Sequence, residues 1–210
     1  MKTAKSFLVR VSCLAVICLL GAVNANAQNT ESRLLKKASV SPVEPAPLEI
    51  TNLKVNGASI DFNQPFQADD EWLKNLTFDV KNVSGKAITH FQIGVLLHNP
   101  DNNQRAVAKM VWHGRDTGLP NVQPTVRVAN GEVIHATYDE RRYEGLKGIR
   151  ERISLSKITS AELSLDMVVF EDDTSWRLGN LYRRDPANPM QWNVIATEQA
   201  TAKPKPEHNY

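Results

Sequence analysis

The sequence predicts a mainly β protein, an antiparallel two-sheet sandwich with one short helix. Three observations carry that prediction. Apolar and polar residues alternate at a period of two in several separate runs, Leu76-Phe78-Val80 and Phe91-Ile93-Val95-Leu97 among them. Turn-forming clusters, including Asn56-Gly57, residues 82–86, residues 99–103 and Asn130-Gly131, punctuate these runs at short intervals. One stretch departs from this rhythm: Tyr143, Leu146, Ile149 and Ile153 are spaced at 3, 3 and 4, as on one face of a helix.

Leu48, Ile50, Leu53 and Val55 bracket a first strand, and Asn56-Gly57 offers a tight turn into Ile60 and Phe62. Leu76, Phe78 and Val80, then Phe91, Ile93, Val95 and Leu97, read as the two arms of a hairpin closed by residues 82–86. The cluster Asn99-Pro100-Asp101-Asn102-Asn103 ends the second arm, and residues 106–112 begin another strand. Strands over 125–128 and 133–138 flank Asn130-Gly131. Gly145 and Gly148 each cost a helix about 1 kcal/mol relative to alanine, so the helix over this region is expected to be short and irregular. Thr159 and Glu162 match a capping box, but the period of two that follows outweighs it. Leu163, Leu165, Met167 and Val169 make a late strand, followed by an Asp172-Asp173-Thr174 turn and a strand over 176–182.

The ends read differently. Lys2, Lys5 and Arg10 form a basic region, residues 11–23 are uncharged and largely apolar, and Ala25-Asn26-Ala27 sets small residues at a signal-peptidase site. Residues 1–27 are therefore expected to be a cleaved signal peptide, with no transmembrane segment after cleavage and a periplasmic or secreted address. The apolar run is short for a membrane span. Residues 28–47, ending in Pro42, Pro45 and Pro47, read as a linker, 48–196 as the sandwich and 197–210 as a disordered tail. Cleavage would remove Cys13 and Cys18, leaving a core without disulfides. It would also remove three of 25 basic residues, leaving 22 against 23 acidic ones, a formal charge of −1. Net charge then provides no case for a nucleic-acid partner.

The wording Asp79-Val80-Lys81-Asn82-Val83-Ser84-Gly85-Lys86-Ala87-Ile88, leading into Phe91-Gln92-Ile93-Gly94-Val95, resembles a recurrent hairpin of bacterial extracytoplasmic immunoglobulin-like sandwiches, FxLYD-type domains among them. Val169-Phe170-Glu171-Asp172-Asp173-Thr174-Ser175-Trp176, ending near Tyr182-Arg183-Arg184-Asp185-Pro186, is similar to the closing hairpin of secreted bacterial proteins of unknown function. The resemblance implies an immunoglobulin-like sandwich and export, and it brings no catalytic residues with it.

Candidate chemistry is sparse, and no catalytic, cofactor or metal residues are assigned. His90 and His98 share one face of a strand, but eight residues of strand set them about 27 Å apart, too far for one metal. They face away from Phe91, Ile93 and Val95, which predicts exposure to solvent. Glu171-Asp172-Asp173, Asp69-Asp70-Glu71 and Asp101-Asn102-Asn103 offer oxygen ligands for calcium, or simply the turn chemistry of Asp and Asn. Ser154 and Lys157 match a Ser-x-x-Lys spacing without its companion motifs. The basic residues Arg141, Arg142, Lys147, Arg150 and Arg152 are interleaved with Asp139, Glu140, Glu144 and Glu151, which reads as a solvated mixed-charge face.

The aromatic residues are the best functional signal. Trp72, Trp112, Trp176, Tyr182 and Trp192 are the candidate binding surface, either as flat exposed platforms or as plugs at the sandwich ends. The expected function is a non-catalytic extracytoplasmic binding or structural module engaging an envelope or extracellular protein. The alternative is a carbohydrate-binding module using exposed tryptophans, with a hydrolase third.

Overall fold

The computed structural model describes residues 30–38, 44–115, 126–138 and 140–195; the expected signal peptide and C-terminal tail lie outside them. Among the described residues are twelve strands and one helix. In chain order they are β1 (Glu31–Lys37), β2 (Leu48–Val55), β3 (Ala58–Ser59), β4 (Pro65–Ala68), β5 (Leu76–Asn82), β6 (Ile88–Asn99), β7 (Gln104–Gly114), β8 (Val133–Thr137), α1 (Glu140–Arg152), β9 (Ser160–Phe170), β10 (Thr174–Arg177), β11 (Asn180–Arg184) and β12 (Trp192–Val194).

The strands form two sheets in a sandwich-like arrangement. The smaller has the order β3-β2-β5-β8. In the larger, β9 is central: β6 lies on one of its edges, with β7 beyond, and β1 and β10 share the other. From β10 the sheet continues through β11 to β12, and from β1 to β4. Every contact is antiparallel except β1 with β9, which is parallel. Phe78 and Val80 of β5 and Phe91, Ile93, Val95 and Leu97 of β6 are fully buried in one core, as their alternation predicts. Each such side chain contributes about 1.5–3 kcal/mol on burial.

Three strand expectations are corrected. Residues 31–37, expected to lie in the linker, form β1: Leu35 is fully buried and pairs with Ala161, while Arg33 turns inward beside it. Arg33 and the lysine pair hide the strand's apolar content, because a charged residue occupies an inward position. Secondly, β5 and β6 are not a hairpin but members of different sheets, joined by an arch. Asn82 holds it: Nδ2 donates to the Lys86 and Val128 carbonyls (2.8 and 2.9 Å), and Oδ1 accepts from the Ser84 amide and hydroxyl (3.0 and 2.7 Å). Alternation reports which residues face inward and is silent about the pairing partner. Thirdly, β8 pairs with β5, and residue 128 makes only an isolated bridge to Ile88, so Asn130-Gly131 closes no hairpin.

Other expectations match. The Asn56-Gly57 turn joins β2 to β3 with φ of 51° and 81°, both left-handed, as a two-residue hairpin needs. The helix buries Tyr143 and Leu146, half-buries Ile149 and is followed by buried Ile153. It is more regular than expected, and Gly145 and Gly148 face open space. Its end is a Schellman motif: the Leu155 amide donates to the Arg150 carbonyl and the Ser154 amide to that of Glu151, with Ser154 at φ 55°. Helix α1 packs against β7, where Arg142 reaches the Met110 and Trp112 carbonyls at 3.4 and 3.5 Å.

Candidate outer-face site

The outer face of the larger sheet can be followed strand by strand from its register. Trp112 on β7 lies opposite Gln92 on β6, Gln92 opposite Met167 on β9, Met167 opposite Arg177 on β10, and Arg177 opposite Asn180 on β11. Tyr182 and Arg184 share the parity of Asn180, and Trp192 on β12 lies opposite Arg184. Directly paired residues point to the same side of a sheet, so Trp112, Tyr182 and Trp192 share one face. Across the sheet five strand spacings separate Trp112 from Trp192, about 24 Å, and the two are further offset by four residues along β11.

Each of these three rings has a cation against it. Lys109 Nζ lies 4.3 Å from the centre of the Trp112 ring, which is 42% exposed. The Arg177 guanidinium is 5.6 Å from the Tyr182 ring and 4.7 Å from that of Trp192, and Arg184 is 4.2 Å from Trp192. Such contacts contribute about 0.5–1 kcal/mol at exposed positions and hold the rings in place. Gly94 lies on the same face, opposite Lys109 on β7 and Ser164 on β9. A Cβ there would stand 2.8 Å from an Asp166 carboxylate oxygen and 2.9 Å from a Val107 methyl, so a larger residue would displace those side chains. Asp166 occupies a bulge where β9 shifts register against β6. Burial pushes its carboxyl up, against the opposing pull of the Ser164 hydroxyl and the Lys109 charge.

The same bulge changes the parity of β9. Leu163 and Leu165 face the core, but beyond Asp166 it is Val168 and Phe170 that do so, and Met167 lies on the outer face. The expected single face Leu163-Leu165-Met167-Val169 is therefore broken in the middle.

The other two candidates are plugs. Trp72 is fully buried, donates to the Ile158 carbonyl at 2.8 Å and meets the Phe66 ring edge-on at 5.2 Å. Trp176 is 2% exposed, lies on the inner face of β10 and donates to the Glu44 carbonyl at 3.2 Å. The expected strand over 176–182 is in fact a hairpin, turning at Leu178 and Gly179. That turn inverts the strand direction, placing Trp176 inside and Arg177, Tyr182 and Arg184 outside.

His90 departs from its expected exposure: it lies on the outer face, yet is fully buried. Its ring is 5.6 Å from the Trp112 ring, and Nε2 is 3.1 Å from the Gln92 amide nitrogen. Nδ1 donates to the His113 carbonyl at 2.9 Å, since a carbonyl can only accept. His98 is half-buried and bonds Asn103 at 3.1 Å. Among the described residues no three His, Cys, Asp or Glu side chains gather to hold a metal ion.

The acidic runs serve turns and ion pairs. Glu171 pairs with Arg127 at 3.1 Å, Asp172 with Lys86 at 2.7 Å and Asp173 with Arg184 at 3.3 Å. Asp70 pairs with Arg33, while the Asp69 carboxylate accepts the Glu71 amide. Ser154 caps the helix and Lys157 pairs with Glu31, so the Ser-x-x-Lys spacing assembles no nucleophile. On the helix, Lys147 pairs with Glu144 at 2.8 Å, in keeping with a mixed-charge surface.

Arg177, Arg184, Lys109, Gln92 and Asp166 join the site only in the structure. The dipeptide Leu178-Gly179 was the signal for the two arginines, since it marks the turn that sets their parity. Compared with family models, curated proteins and solved structures, the chain matches none of them.

Proposed function

We propose that this chain is an exported, non-catalytic binding module of the cell envelope that engages a protein partner through the outer face of its larger sheet. The observation that carries this is the common face of Trp112, Tyr182 and Trp192, each with a lysine or arginine against its ring. Aromatic rings supply rigid contact area and guanidinium groups supply directed donors, the two residue types that dominate binding hot spots. Lys109 and Arg177 beside the rings favour an acidic partner surface, while Arg184 is already paired with Asp173.

The immunoglobulin-like part of the reading draws support from sheet membership. Strands β2-β5-β8 face β7-β6-β9-β10, which parallels the division of A-B-E against C′-C-F-G in such sandwiches. The arch over residues 82–87 then corresponds to the connection that changes sheets.

The test is crosslinking capture from envelope extracts with wild type and a Trp112→Ala/Tyr182→Ala/Trp192→Ala variant. The expected result is a partner retained by wild type and lost by the variant at equal folded content. Equal capture by both would remove the outer face from consideration. The carbohydrate alternative is supported by the exposure of Trp112 alone. It expects polysaccharide to quench tryptophan emission in wild type and not in Trp112→Ala.

A further inference from the structure

We propose that the seam between the sheets, beside Trp176, is a binding site for a medium-chain aliphatic carboxylate. The seam exists because β1 and β10 share one edge of β9 end to end. The β1 pairing reaches Leu163 and the β10 pairing begins at Met167. Among the described residues no strand pairs with residues 164–166 on that side, and this stretch borders the space between the sheets.

That space is a cavity of about 240 Å³ walled by Leu163 and Leu165 of the larger sheet, Leu48 and Ile50 of the smaller, and Trp176. Among the described residues, Lys37, exposed at the end of β1, is the only titratable side chain along its lining. Beyond the indole a second cavity of about 290 Å³ lies among Pro45, Pro47, Phe170 and Leu181. Ala46 and Trp176 line both. Residues 44–47 separate the two as a strap held by the Glu44 amide on the Gly179 carbonyl, the Val83 amide on the Pro47 carbonyl, and the Trp176 indole on the Glu44 carbonyl.

Apolar walls with one polar group at the edge are the usual chemistry of a small-molecule pocket. Among the described residues the lining contains no acid to oppose an anion, and the lysine ammonium is a point charge suited to a carboxylate. At roughly 30 Å³ per methylene, the volume of one water in the liquid, the inner cavity takes a chain of about eight carbons. The ligand is therefore an alkyl carboxylate such as octanoate, its tail between the leucines and its head at Lys37. This site is separate from the outer face, so either can fail without the other.

The probes are octanoate and octan-1-ol, titrated against the purified protein by tryptophan emission and by thermal melting. Octanoate is expected to bind saturably, to shift Trp176 emission and to raise Tm. Ala46→Phe, which fills the space from the strap, is expected to abolish both effects, and Ala46→Leu to weaken them if the larger variant does not fold. Trp176→Phe should lose the emission change and keep the Tm shift. Lys37→Glu should weaken octanoate at least fivefold and leave octan-1-ol unchanged. No saturable binding of either probe, or unaltered binding by a folded Ala46 variant, overturns the site. Equal affinity for acid and alcohol, unaffected by Lys37→Glu, overturns the assignment of a carboxylate.

Discussion

Arg33 and Trp72 donate to the same carbonyl oxygen, that of Ile158, at 3.4 and 2.8 Å. Both side chains are buried, one on β1 and the other beyond β4, and together they tie the parallel strand to the segment leading into β9. The guanidinium also donates to the Ala68 carbonyl at 3.4 Å and to Asp70 at 2.6 Å. Arginine keeps its charge in a protein, so this buried cation depends on those acceptors.

An asymmetry between the partners follows. Asp70 is more than half exposed, and water would solvate it if Arg33 were removed. If Asp70 is removed, the buried Arg33 has no water to turn to and is left with the longer pairing to Glu31 at 3.5 Å. Asp70→Ala is expected to cost about 2–3 kcal/mol in urea unfolding, and Arg33→Met about 1 kcal/mol or less. The reverse order would mean that water reaches the guanidinium.

Asn82 uses both ends of its amide in the arch between the sheets. A carboxylate there could accept from Ser84 but could not donate to the Lys86 and Val128 carbonyls. Asn82→Asp is expected to destabilise by about 2–4 kcal/mol at pH 7, with part regained on protonation at low pH. Chemical denaturation at pH 7 and pH 4 measures it, and a pH-independent loss would contradict the donor argument.

Burial raises the folded-state pKa of Asp166. A raised carboxylate favours the fold below its ordinary pKa of 3.8, and this contribution is lost as pH rises through the folded value. Asp166→Asn is therefore expected to melt at a higher temperature than wild type at pH 7, with the gap closing near pH 3.5. A constant gap across pH would place the effect in packing instead.

Leu178 sits at φ 46° in the β10–β11 turn and is 54% exposed. Leucine is disfavoured in this left-handed region by about 1–2 kcal/mol, and the following Gly179, at φ 91°, completes a turn that favours Asn-Gly. Leu178→Asn is expected to raise stability by about 0.5–1 kcal/mol, read from the urea midpoint. No gain would show that the leucine side chain makes a compensating contact.

Much of the fold was legible because its signals are local. The inward sets on β5 and β6, the Asn56-Gly57 turn and the Tyr143-Leu146 face each depend on φ, ψ and side-chain direction within a few residues. The candidate site was legible only in residue type. Five aromatics were singled out, and three of them share the outer face, because a tryptophan beside a polar loop suits a plug and a platform equally well.

The sequence by itself therefore determined the strand-rich composition, the inward residues of the central strands and the helix, since backbone sterics and the pleat impose those periods wherever the chain goes. Only the tertiary structure decided which strands pair, that β1 belongs to a sheet, and which face each aromatic occupies. Those choices rest on contacts between distant segments: Arg33 with residues 68, 70 and 158, Asn82 with Val128, and the β9 bulge against β6. A period of two is unchanged when a strand exchanges one partner for another, and for that reason partner choice leaves no mark in it.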